Sequence, residues 1–218
     1  MQKRTIKFGS YDTAEHGWTL GAWSLSNAEQ KTNYVEKSGG DGSWDLSTAN
    51  TNGIPRYKNR TLTVPLECSK GTREDREKLI NEMVNELDGL EWQTVLPDRP
   101  DHYVIGRLHV GVDYSDLAHC KVTVTGTVEP WLYSARESVV EASVNGTAEA
   151  RFYNEGRKAV VPMLTVSGDI TLSIEDTSIQ LTEGVYKWPA LLLLPGLTLV
   201  QCTGYGKLTA TYREAVLR

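Results

Sequence analysis

Hydrophobic and polar residues alternate from Arg60 to Cys68. Leu62, Val64, Leu66 and Cys68 fall on one side, with Thr61, Thr63 and Glu67 on the other. That period of two belongs to a half-buried strand. Lys70-Gly71 interrupts it, and the period then changes to three and four. Leu79, Ile80, Met83, Val84 and Leu87 form one stripe, opposite Glu74, Glu77, Asn81 and Asn85. This stripe predicts an amphipathic helix over about 73–88. Thr72 with Asp75 three residues on is an acidic variant of the capping box. Gly89 stands where a left-handed C-terminal cap belongs. A short apolar run, Trp92 to Leu96, is followed by turn chemistry over Pro97 to Asp101 and a second strand from His102 to Val112. Ser115-Asp116 predicts another turn. Lys121 to Glu129 then alternates again, Val122, Val124 and Val128 against Thr123, Thr125 and Thr127. One helix packed across a sheet is the expected centre of a first domain, residues 1–136.

The flanks read differently. Residues 1–29 hold Trp18 and Trp23 and predict one or two short strands, the tryptophans filling a core or an interface. Residues 30–59 are polar, with Gly39-Gly40-Asp41-Gly42 in the middle. A structureless segment of that length is unusual inside a compact domain. Tyr34, Trp44, Leu46 and Tyr57 favour an extended arm over a disordered linker, since such residues are scarce in linkers and common at interfaces. From residue 137 to 218 turn signals are frequent: Asn145-Gly146, Asn154-Glu155-Gly156, Gly168-Asp169, Glu183-Gly184, Pro195-Gly196 and Gly204-Tyr205-Gly206. Asn145-Gly146 predicts a two-residue hairpin. Ala159 to Val166 predicts an edge strand because of Pro162. Ile170, Leu172 and Ile174 alternate, and Leu208 to Tyr212 closes the chain. Seven or eight short strands predict a second domain of β-sandwich or jelly-roll type. The expected fold class is therefore mainly β with one α-helix.

Composition narrows the function. The 218 residues carry 23 basic and 28 acidic side chains, a net charge of -5. That balance argues against a nucleic-acid groove. Cys68, Cys120 and Cys202 are far apart and odd in number, so no disulfide framework is suggested, and each is expected as a small buried apolar group. Met1 to Lys7 has no apolar run behind it, and the greasiest window, Ala190 to Leu194, is too short to span a bilayer, which predicts a protein made and kept in a cytosol-like compartment or leaving it without a cleaved signal. His16, His102, His109 and His119 lack partners at metal-ligand spacing. Asp98 and Asp101 beside His102 are better explained as a turn than as an acid–base site. Gly204 to Thr209 has glycines and Lys207 but lacks the spacer and the Ser or Thr of a phosphate loop. No nucleophile elbow and no singled-out carboxylate pair exist. No catalytic residue, metal site or cofactor is expected, and a binding or assembly protein is favoured over an enzyme.

An ordered set of segments then points to a family. Gly42 to Ser47, Tyr57-Lys58-Asn59-Arg60 to Val64, the helix from Arg73 to Leu87, Leu96-Pro97-Asp98 and Tyr103 to Arg107 come in the order found in the distal tail proteins of long-tailed phages. Val128 to Tyr133 is similar to that family's last strand of the first domain. Asn154-Glu155-Gly156, Pro162, Leu194-Pro195-Gly196 and Tyr212-Arg213 are similar to parts of its second. The chain thus resembles siphophage distal tail proteins over nearly its whole length. The resemblance implies a structural virion protein, assembled in the host cytoplasm and placed at the tail tip. It implies a first domain that forms a homo-hexameric ring, with the arm reaching the neighbouring subunit, and a galectin-like second domain. The tail-tube protein would lie above the ring, and a baseplate or tail fibre protein below. The tape-measure protein would be a further contact. DNA would pass through the lumen without sequence-specific binding, and no membrane is involved. Tyr34, Trp44, Leu46, Tyr57 and Arg60 are the expected subunit-interface residues. The second domain has no room for large carbohydrate-binding insertions. The alternatives are a carbohydrate-binding adhesion module using Trp188 or Tyr205, and a cell-wall hydrolase, for which no residues stand out.

Overall fold

The computed structural model describes residues 5–51, 53–113 and 120–218. The expected turn at Ser115-Asp116 and the side chain of His119 lie outside the described residues. The chain divides into two compact units, Met1–Pro130 and Trp131–Arg218. It is mainly β, with one helix among the described residues.

The first unit contains strands β1 (Lys7–Phe8), β2 (Tyr11–Asp12), β3 (Thr19–Leu20), β4 (Ser24–Leu25), β5 (Tyr34–Glu36), β6 (Ser43–Asp45) and β7 (Arg60–Cys68). Helix α1 (Arg73–Leu87) follows, then β8 (Glu91–Leu96), β9 (Arg99–Asp113) and β10 (Cys120–Val128). Its main sheet runs β2-β1-β8-β9-β10-β7-β3, with β4 also on β7, and its paired strands are antiparallel. Burial alternates along β7 and β10 as the sequence predicts, with Leu62, Val64, Leu66, Val122, Val124 and Val128 inside. One solvated face is usual for antiparallel sheets. The other is covered here by α1, which packs on β9 and β10 through Ile80, Met83 and Leu87. Trp18 is core, and its indole N–H donates to the Tyr11 hydroxyl at 2.8 Å.

Both ends of α1 are fixed by aspartates. The Thr72 hydroxyl accepts from the Asp75 N–H, and the Asp75 carboxylate accepts from the Thr72 N–H, the reciprocal box expected. At the other end Gly89 has φ +72°, but its N–H donates to the Leu108 carbonyl rather than back into the helix. Asp88 accepts from the Val110 N–H at 2.8 Å. The expected turn over 97–101 is tighter than its composition suggests. Leu96 pairs with Arg99 and Val95 with Tyr103, so Pro97-Asp98 alone turns, and 100–102 bulge out of the ladder. The polar stretch 30–59 is not structureless. It carries the hairpin β5–β6, a two-stranded sheet of its own.

The second unit corrects the expectation of many short strands. Its strands are β11 (Leu132–Ser134), β12 (Ser138–Asn154), β13 (Met163–Ile174), β14 (Thr177–Leu181), β15 (Gly184–Lys187), β16 (Gly196–Tyr212) and β17 (Ala215–Val216). Asn145-Gly146, Gly168-Asp169 and Gly204-Tyr205-Gly206 are not turns. Each lies inside a long strand, and they are aligned: Gly146 pairs with Gly204, and Gly168 with Gly206. Even-numbered residues face the core on either side of this row, among them Val144, Phe152, Val166, Ile170, Cys202 and Leu208. The glycines therefore stand on the inner face of a corner.

How sharp the corner is follows from two aromatic rings. Tyr212 pairs with Ser138, at the opposite end of β12 from Phe152. Along a straight strand those ends would be roughly 45 Å apart. The Phe152 and Tyr212 rings are instead 6.4 Å apart, and the Tyr212 hydroxyl donates to the Tyr153 carbonyl at 2.8 Å. One sheet, β12-β16-β13 with β14 and β15 end to end on β13, is thus folded over on itself. The sandwich-like core is made by its two halves.

Two outcomes follow. At Gly204 (φ +118°) an added Cβ would sit 2.2 Å from the Asp169 carbonyl oxygen, so Gly204→Ala should destabilise the second unit by about 3 kcal/mol or more, lowering its melting temperature by several degrees. Acid should loosen the first unit. Backbone N–H bonds, from Thr72 to Asp75 and from Val110 to Asp88, hold both carboxyls below the ordinary range. A depressed folded pKa gives stability that is present above the unfolded value of about 3.9 and lost as pH falls through the folded one. In urea titrations below about pH 4, the Asp75→Asn/Asp88→Asn variant should show a flatter pH dependence than the parent.

Candidate assembly surface

The hairpin β5–β6 is built locally. Gly39 (φ +74°) and Gly42 (φ +75°) allow the loop between the strands to reverse. Lys37 N–H donates to the Gly42 carbonyl, and Leu46 N–H to that of Asn33. The root is fastened by a bridge between Gln30 and Tyr57 and by the Glu29–Lys58 ion pair at 3.0 Å. Register places Val35 opposite Trp44 and Tyr34 opposite Asp45. Because alternate residues share a face, Val35, Trp44 and Leu46 lie together and Tyr34 lies on the reverse.

All four are exposed, Tyr34 at 61% and Trp44 at 60%. The Lys37 ammonium lies 4.7 Å above the Trp44 ring, a contact that orients the indole without covering it. Ser47 side-chain and backbone hydrogen bonds hold the Asp45 carboxyl below its usual range. A lone hairpin is only marginally stable in water, and an apolar face on one is a poor use of surface unless something covers it.

The five expected interface residues divide. Tyr34, Trp44 and Leu46 share the hairpin. Tyr57 is half-buried at its root. Arg60 is part of the first unit's own framework. It is buried, its Nε donates to the Ser26 carbonyl at 2.5 Å, and a terminal nitrogen lies 3.5 Å from the Pro130 carbonyl. Burial lowers its pKa. A second apolar surface escaped the sequence reading. On the outer face of the folded sheet Tyr153 pairs with Leu197, and Leu199 follows two residues on, all exposed. The odd-numbered alternation of Leu197 and Leu199 carries that signal once β16 is recognised as continuous.

The other candidate chemistry finds little support. Trp188 is a core residue, 9% exposed, so its face is not open to a sugar ring, whereas Tyr205 is 70% exposed at the glycine corner. Among the described residues no three His, Cys, Asp or Glu side chains gather as metal ligands. Asp98 is in the β8–β9 turn, and Asp101 is paired with its neighbour His102 at 3.0 Å. A cavity of about 450 Å³ on the first sheet is lined by Arg107, His109 and the threonines 61, 125 and 127. His109 Nδ1 is 2.8 Å from the Asp88 carboxylate. No helix among the described residues is long and apolar enough to cross a membrane.

A folded sheet in one unit, and in the other a helix-backed sheet with an exposed hairpin, make up a fold shared with solved structures. The crystal structure of the Dit (gp 19.1) protein of phage SPP1, described as a paradigm of the hub adsorption apparatus in phages infecting Gram-positive bacteria, matches with a TM-score of 0.70. The match covers 96% of this chain and 98% of that one at 14% identity, so it is the fold that is shared. The baseplate of phage p2, in its activated conformation with strontium, gives a TM-score of 0.48 at 8% identity, over 94% of this chain and 97% of that one. No family model matches the chain, and no curated protein does.

The exposure of Trp44 predicts that Trp44→Ala leaves the melting temperature of the unassembled subunit unchanged within about 0.5 kcal/mol of stability, the usual range for surface positions. Differential scanning calorimetry at low protein concentration checks this.

Proposed function

We propose that this chain is a structural protein of the distal end of a siphophage tail, built as a closed, hexameric ring that joins the tail tube to the baseplate or tail fibre. The observation that carries this reading is the SPP1 hub fold running through both units, over 96% of the chain. The exposed hairpin supports it. Contacts between an arm of one subunit and a different surface of the next are head-to-tail, and such contacts close into rings when the rotation allows. In this reading the first unit forms the ring, and Val35, Trp44 and Leu46 seat on the neighbouring subunit. The second unit is galectin-like. DNA moves through the lumen, and an acidic chain suits that passage because it does not hold the phosphate backbone. The role is that of a connector, not an enzyme, and the tape-measure protein is a further neighbour. Assembly takes place in the host cytoplasm, and the protein ends in the virion.

Native mass spectrometry of the purified protein should give a hexamer of the 24.2 kDa chain, or ring density should be found at the tail tip of the virion. A strict monomer at high concentration together with no such ring would refute the reading. Trp44→Ala should weaken self-association by about 2 kcal/mol, roughly 30-fold, as the loss of an interface anchor does.

A further inference from the structure

Strand register sets two thiols side by side that are far apart in the sequence. Cys68 closes β7 and Cys120 opens β10, and they are direct partners in the antiparallel ladder. Both point to the covered face, both are buried and both are free thiols, the Cys68 thiol donating to the Lys70 carbonyl at 3.9 Å. Directly opposed residues of antiparallel strands have Cα atoms about 4.5–5.5 Å apart. That falls within the roughly 4.4–6.8 Å that a disulfide spans. Their side chains leave the same face of the sheet from directly opposed positions, so the two Cβ atoms have only to close from about 4.5–5.5 Å to the roughly 3.5–4.5 Å of a disulfide.

We propose that Cys68 and Cys120 form a reversible disulfide, making this end of the β7–β10 ladder a thiol–disulfide exchange site whose co-reactant is a small-molecule disulfide. In the first exchange one cysteine, as its thiolate, attacks a sulfur of the reagent and expels one small thiolate. In the second, the other cysteine attacks the protein sulfur of the mixed disulfide and expels the second. Two protein thiols are oxidised and one reagent disulfide is reduced to two thiols. The two protons lost by the cysteines are taken up by the departing thiolates.

The surroundings set the rate rather than the outcome. Burial, and next the adjacent Cys68, push the Cys120 thiol up to about 11, with Arg76 opposing weakly. Little thiolate exists at neutral pH, so exchange is slow there and accelerates with alkali. In a reducing compartment the pair stays open while the fold completes. Once closed, the bridge encloses α1, β8 and β9 in one covalent loop, which restricts the unfolded chain and raises the melting temperature. Cys202 serves as an internal control. It is buried in the second unit, opposite Ala148 and Leu172, with no cysteine beside it. The chemistry rests on the strand register and not on the role proposed above.

The test uses the full chain and oxidised glutathione at about pH 8.5, quenched with acid and then alkylated. The expected product carries one alkylated thiol, at Cys202, and a non-reduced peptide pair containing Cys68 and Cys120. Its melting temperature rises by several degrees, and dithiothreitol reverses the rise. Cys68→Ser should give neither bridge nor rise. A stable glutathione adduct on Cys68 or Cys120 that never resolves would overturn the proposal, as would a bridge that includes Cys202. So would three free thiols after the exchange is repeated in urea dilute enough to keep the fold but sufficient for iodoacetamide to label both cysteines.

Discussion

The second unit depends on a row of positions where a side chain has no room or no allowed backbone. Gly146, Gly168, Gly204 and Gly206 lie on the inside of one corner, and at three of them a Cβ would fall within about 2.3 Å of a carbonyl oxygen on the adjacent strand. Strands twist and coil on their own, but a fold-back this tight within a continuous hydrogen-bonded ladder needs residues without Cβ atoms on its concave side. Everything beyond the corner follows. Phe152 can reach Tyr212 only if the sheet doubles over, and the same doubling shuts Leu164, Leu172, Val200 and Leu208 away from water. Two separate sheets would need loops to join them. Here the joint is the ladder itself, so both halves are held in register by backbone hydrogen bonds.

The first unit solves its burial problem by another route. Its sheet hides one face under α1, and the helix is held at both ends by backbone-to-carboxylate bonds. The Asp88 bond reaches across to Val110 and ties the helix terminus to the strand it covers. With that face closed by the helix, Val35, Trp44 and Leu46 take no part in the unit's core and remain exposed. The hairpin accordingly carries its apolar residues out into solvent while its root remains fastened to the chain at Gln30 and Tyr57.

What was legible in the sequence was what local physics decides. The helix, its Thr72–Asp75 cap and the alternation along β7 and β10 all follow from periodicity and short-range bonds, and they are found where expected. The glycine motifs of the second unit predict turns but form a corner, because Asn-Gly and Gly-Tyr-Gly look alike in both settings. The difference lies in whether Gly146 meets Gly204 on a neighbouring strand, which is a matter of register and is invisible in one segment. The same holds for Cys68 and Cys120, remote in sequence and adjacent across a ladder. The burial of Arg60 is equally invisible in its own segment. Its burial depends on Ser26 and Pro130, far away on either side.

The fastening of the hairpin at its root has a consequence for how such a chain can change over generations. Insertions on the root side of the apolar residues, between Gln30 and Tyr34 and matched between Leu46 and Tyr57, lengthen the arm without touching either large sheet. Each residue added to both strands extends the reach by about 3.3 Å but turns the apolar residues beyond it to the opposite face. Lengths that keep Trp44 and Leu46 pointing the same way therefore come in increments of two residues per strand, roughly 7 Å. Reach is quantised in this architecture, and a lineage that changes how far the hairpin extends should do so by even steps.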